Sequence, residues 1–137
     1  MLEFQLKLIG GILSILAFAH IAFPKYFLWK KELQHLSLIN RQMMQVHTFF
    51  IAITVLFMGL LCITSSHELV TTVLGKRISL GLTIFWGIRL GVQFFGYSVD
   101  LWKGKTFETT IHVIFSILWG YFTAVFFMAW YAKDILF

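Results

Sequence analysis

Apolar residues fall in four long runs, set apart by short stretches in which charged, hydroxyl and amide side chains collect. A helix rises 1.5 Å per residue, so about 20 apolar residues cross the ~30 Å of a bilayer's hydrocarbon. The four runs reach that length at about residues 8–29, 43–64, 78–99 and 111–131. Ser65, Ser66, His67 and Glu68 close the second run, and the connection after it ends at Gly75, Lys76 and Arg77. Asp100, Trp102, Lys103, Gly104 and Lys105 form a polar turn before the fourth, which a short Lys133–Asp134 tail follows. The pattern predicts an all-α integral membrane protein: one domain, 1–137, built as an antiparallel bundle of four transmembrane helices.

The first run carries two further signals. It starts close to Met1 without a basic leader and small-residue cleavage site, and it is read as a retained span. Near its end stands Pro24, which removes a backbone donor and disfavours helical geometry in the residue before it, predicting a stop or kink. Beyond it, Tyr26, Phe27, Trp29, Leu33, Leu36 and Ile39 interleave with Lys30, Lys31, Glu32 and Gln34. That mixture predicts a short amphipathic helix along the headgroups, joining the first two spans.

Composition strengthens the membrane reading. Charged residues make up 12% of the chain, half the ~25% usual in soluble domains. Sixteen Phe and five Trp are more aromatic surface than so few polar side chains can cover, which assigns the surplus to lipid. The net charge of +5 raises nucleic acid as a partner, but the cations cluster at the ends of apolar runs, as membrane-flanking residues do. Anionic lipid headgroups fit them better. With four spans both termini share a side, and Lys7, Lys76, Arg77 and Lys133 oppose Lys25, Lys30, Lys31, Arg41, Lys103 and Lys105. Positive residues favour the cytoplasm, so the termini are placed outside it. Cys62 has no second cysteine to pair with and reads as a small packing residue.

The candidate chemistry is the set of polar residues inside the runs, since such residues are costly in lipid and face the bundle interior. Antiparallel order carries His20 and His47 to a depth of about 6 Å below one membrane face, with His112 shallower and Arg89 about 13 Å deep. Arg89, Gln93 and Tyr97 recur every four residues and share a face, which Trp86 extends. Asn40, His47 and Thr54 form a stripe on the second span, and His112, Ser116 and Thr123 one on the fourth. A central arginine costs about 2.5–3.5 kcal/mol even on the lenient insertion scale, so a compensating partner is expected. That partner is either an anionic ligand or, by snorkelling, Asp100 and backbone carbonyls.

Three classes of function follow. In the first, His20 and His47, with His112 nearby, ligate haem b or a transition metal, and Arg89, Gln93, Tyr97 or Arg41 hold an anionic cofactor group. In the second, an enzyme or carrier clamps an anionic amphiphile at Arg89, with His47 or His112 moving a proton. In the third, the chain is a non-catalytic subunit or assembly factor, its intramembrane polar residues meeting a partner protein or a second copy of the chain. No HExxH, CxxC, nucleophile motif or phosphate loop narrows the choice. His67 is expected in solvent and His35 at the rim. Gly87 and Gly91 read as a small-residue contact for close helix packing, or as a strip of bare backbone open to a lipid chain or flat cofactor.

Overall fold

A computed structural model describes residues 1–101 and 103–132. Trp102 of the polar turn and the Lys133–Asp134 tail lie outside the described residues. All regular structure among those described is helical, and four helices are long and apolar enough to cross a membrane: Leu2–Tyr26, Leu38–Thr64, Val73–Phe95 and Thr106–Tyr131. We number them α1 to α4. Each begins some five residues earlier than the apolar runs suggest, because a helix is extended by polar residues that can cap it. Ser37 accepts from the backbone N–H of Asn40 to open α2, and Thr72 from Gly75 to open α3.

The first helix is regular from Leu2 to Ala19 and tightens to a three-residue turn at His20–Ala22, just before Pro24. Pro24 sits in the first turn of the four-residue helix Phe23–Tyr26, where its missing N–H leaves no bond unmade. The continuous amphipathic helix expected beyond it is not formed. Leu28 adopts φ 54°, ψ 44°, a left-handed conformation that no regular helix of L-residues can pass through, and Leu36 is extended. Between them the chain makes only the short turns Trp29–Glu32 and Leu33–His35.

The chain divides into two compact units. In the unit Leu6–Ser66, α1 and α2 run antiparallel and touch through glycine. A methyl group placed on Gly10 would lie 2.6 Å from the Gly59 carbonyl oxygen, and one on Gly59 would lie 2.8 Å from that of Gly10. Ser14 and Leu13 close round Gly59, and Ile63 round Gly10. Cys62 is fully buried and unpaired, as a small packing residue.

The other unit joins Met1–Gln5 to the chain from His67 onward. Here α3 and α4 run antiparallel and meet through aromatic rings. Trp86 and Trp119 stack at 5.0 Å with planes 19° apart, Phe122 meets both edge-on, and Phe115 stacks on Trp119 at 5.3 Å. Each such pair contributes about 0.5–1.5 kcal/mol beyond area burial. The Gly87–Gly91 contact expected from the sequence is absent. A methyl on Gly91 would meet nothing within 4 Å, and one on Gly87 only the Thr123 methyl at 3.7 Å. The tight glycine of this unit is Gly75, whose added carbon would collide at 1.8 Å with the Glu68 carbonyl of the short helix Ser66–Thr71. Ser79, wholly buried, donates to the Leu69 carbonyl of that same short helix. At the chain's start, Gln5 accepts from the Tyr121 hydroxyl, and the Glu3 carboxylate pairs with exposed His67 at 2.7 Å.

Most hydroxyls within the long helices bond to their own backbone. Ser14, Thr48, Thr54, Thr83, Ser116 and Thr123 each donate to the carbonyl four residues earlier, at 2.7–2.8 Å. Large apolar side chains meanwhile stand open on the outside: Phe95 is 91% exposed, Ile21 75% and Ile117 68%. Contiguous apolar surface of this kind marks an interaction with lipid or with another protein.

Candidate functional site

The α3/α4 pair assembles the clearest constellation. Arg89 lies on α3 with its guanidinium carbon 5.2 Å from the Trp119 ring centre and 5.8 Å from that of Tyr97. Its Nη1 donates to Gln93 Oε1 at 3.2 Å, one turn along the same helix. Because the Gln93 oxygen faces the arginine, its amide nitrogen donates to His112 Nδ1 across on α4, at 2.9 Å. Nδ1 accepts, so the proton of the neutral imidazole sits on Nε2. The arginine thus orients the amide, and the amide sets the histidine tautomer. Gln93 is only 6% exposed, which makes this a buried relay between two half-buried ends.

The charge of Arg89 meets no carboxylate among the described residues, and Asp100 instead accepts from Ser98. Cation–π contacts contribute from ~0.5–1 kcal/mol at exposed sites to ~2 kcal/mol when desolvated. Two of them and one hydrogen bond are together of the same order as the ~2.5–3.5 kcal/mol cost of a central arginine. The residue is therefore tolerated by neutral partners, and its positive charge remains unmatched. Close by, the indole N–H groups of Trp86 and Trp119 are buried with no hydrogen-bond partner among the described residues. The region carries donors in excess of acceptors.

Arg89 and Gln93 share a face of α3 as their spacing suggests, and His112 meets them from α4; Tyr97, expected on the same helical face, lies beyond the end of α3 at Phe95 and reaches Arg89 from the bend that follows it. Ser116 and Thr123 lie on the same helix as His112, but their hydroxyl protons are committed to that helix. Trp119 was not singled out by the sequence reading, although it stands seven residues after His112 and so on the same face.

His20 and His47 are placed differently. His20 lines a cleft of about 190 Å³ between α1 and α2, together with Gln45, Thr48, Phe49 and Ala52 of α2. Those α2 positions follow the spacing of one helical face, and His47 lies roughly 150° round the helix from it. His47 is exposed and is not among the residues lining the cleft. The two histidines share a level along their helices but do not converge. Arg41 is half-buried in the first turn of α2, and His35 is exposed. Among the described residues no three His, Cys, Asp or Glu side chains are grouped so as to hold a metal ion.

The chain matches no protein-family model, no curated protein and no solved structure. Its chemistry is read from the residues themselves.

Proposed function

We propose that this chain is a multi-pass membrane protein, its four helices packed as a bundle, that binds the anionic headgroup of an amphiphile at Arg89. The observation that carries this reading is the guanidinium itself, close to the Tyr97 and Trp119 rings and with only the neutral Gln93 amide as a hydrogen-bond partner among the described residues. A phosphate or carboxylate there accepts from the guanidinium nitrogens not used by Gln93, while its acyl tail lies along exposed rings such as Phe94 and Phe95. Gln93 and His112 tune the site by fixing the arginine's orientation. The role proposed is binding or carriage of that amphiphile.

The test is retention of anionic lipid by the full chain in nanodiscs. Dioleoyl phosphatidic acid and oleate, each offered against phosphatidylcholine, separate a phosphate from a carboxylate preference. Arg89→Leu is expected to weaken retention of the preferred anion at least tenfold, with Arg89→Lys intermediate because it keeps charge without the planar fork. Retention unchanged in Arg89→Leu overturns the proposal.

A further inference from the structure

We propose that the cleft between α1 and α2 is a second, independent site, for an uncharged amphiphile whose headgroup is a ring bearing a hydroxyl, of the phenol or quinol class.

The assignment starts from a tautomer. His20 Nδ1 lies 2.7 Å from the Leu16 carbonyl oxygen of its own helix. A carbonyl can only accept, so Nδ1 carries the proton, and in the neutral ring Nε2 is left as a bare acceptor on the side away from that carbonyl. The ring is further held by Phe23, whose centre is 4.6 Å away. The cleft therefore offers a fixed acceptor and calls for a donor.

Its other polar groups are neutral. Thr48 commits its hydroxyl proton to the Met44 carbonyl at 2.8 Å and presents oxygen lone pairs, and the Gln45 amide makes no hydrogen bond within the described residues. The remaining wall is Ile21, Pro24, Trp29, Phe49 and Ala52. No charged side chain lines the cleft, so an ionised headgroup would be desolvated there without a counter-charge. A hydroxyl satisfies Nε2 without that cost. Flat walls from Trp29, Phe49 and Pro24 suit a ring, and about 190 Å³ is below the ~300–1,000 Å³ of sites that enclose whole ligands. The space takes a headgroup and leaves the tail outside.

Backbone strain points to the same place. Leu28, the residue before Trp29, is the one described non-glycine residue with positive φ, a conformation that L-residues disfavour because Cβ crowds the following carbonyl. Such strain is held only where the surroundings over-determine it, and it gathers at ligand sites. Here it turns the chain so that Trp29 closes the cleft. The placement also suits an amphiphile if α1 crosses lipid, because His20 lies six residues, about 9 Å, before the helix ends at Tyr26.

The experiment measures equilibrium binding of tritiated 4-decylphenol to the full chain in phosphatidylcholine nanodiscs, with empty discs subtracted. 4-Decylanisole, its O-methyl ether, is the competitor that lacks only the donor. Saturable binding of the phenol with the ether at least tenfold weaker is expected. His20→Ala should remove that discrimination, and Ala52→Phe, which fills the cleft without touching His20, should weaken phenol binding at least tenfold. Monodisperse elution and a wild-type helical circular-dichroism spectrum show that either variant is folded, and anionic-lipid retention, measured separately, reports on Arg89 alone. Equal binding of phenol and ether, or phenol binding that survives in both folded variants, overturns the proposal.

Discussion

The α1/α2 pair meets through the absence of side chains and the α3/α4 pair through the largest ones. At Gly10 and Gly59 two backbones touch, so the contact tolerates no added atom. Between α3 and α4 the contact is made by the stacked rings of Trp86 and Trp119, and Arg89, Gln93 and His112 are built into the same interface. Close contact makes a rigid seam, whereas bulky contact makes a seam that can enclose a polar group. This is why the charged candidate site lies in the aromatic pair, and why the cleft of the glycine pair opens only near His20, past the crossing.

The sharpest way to break the contrast is to place the same methyl group at two glycines. Gly10→Ala is expected to lose about 3 kcal/mol, because the new carbon meets a carbonyl oxygen that neither helix can move away without separating. Gly91→Ala, with nothing within 4 Å, should instead gain roughly 0.5–1 kcal/mol from helix propensity. Reversible unfolding of both variants in one detergent checks the pair, and equal effects at the two positions would refute it.

Trp86→Phe addresses the other seam. Stacking worth about 0.5–1.5 kcal/mol is weakened. The substitution also removes a buried N–H with no partner, whose desolvation costs about 1–3 kcal/mol. The two nearly cancel, so a change below about 1 kcal/mol is expected in the same unfolding assay, and a loss of several would show that the indole nitrogen is satisfied in solution.

The smallest effect lies outside both seams. The hydrogen bond that His67 donates to Glu3, with the negative charge of Glu3 and that of Glu68, raises the pKa of His67 above the ordinary 6.5. A raised folded-state pKa stabilises the fold fully below the unfolded value, and that contribution is lost as pH rises through the folded value. Both groups are largely in solvent, so the effect is screened by salt. Thermal midpoints should therefore show wild type above Glu3→Gln below about pH 6.5, with the gap closing at higher pH.

How much of this was legible in the sequence depends on whether one helix or two decide the feature. Span-length helices follow from apolar length alone. The Arg89 and Gln93 face follows from a spacing of four on one helix, and His112 joined it through depth, whereas Tyr97 meets Arg89 from beyond the helix end, which spacing alone does not foresee. Depth misled for His20 and His47, because level along an axis says nothing about direction around it. Gly10 and Gly59 were invisible for the complementary reason: a glycine matters where another helix crosses it, and Gly87 and Gly91 show the same pattern uncrossed. The break at Leu28 could not be read either, since leucine has no preference for left-handed geometry.

The hydroxyls that bond to their own helices have a consequence for biogenesis. Thr48, Thr54, Ser116 and Thr123 bring no proton donor that must wait for a neighbour, so on the proposed membrane reading these hydroxyls do not oppose the entry of α2 and α4 into lipid one at a time. Only α3, with Arg89 and Gln93, needs its successor in order to be at ease there. Synthesis delivers that successor next, after the connection that begins at Gly96, and on the proposed membrane reading the hairpin settles as one insertion event rather than two.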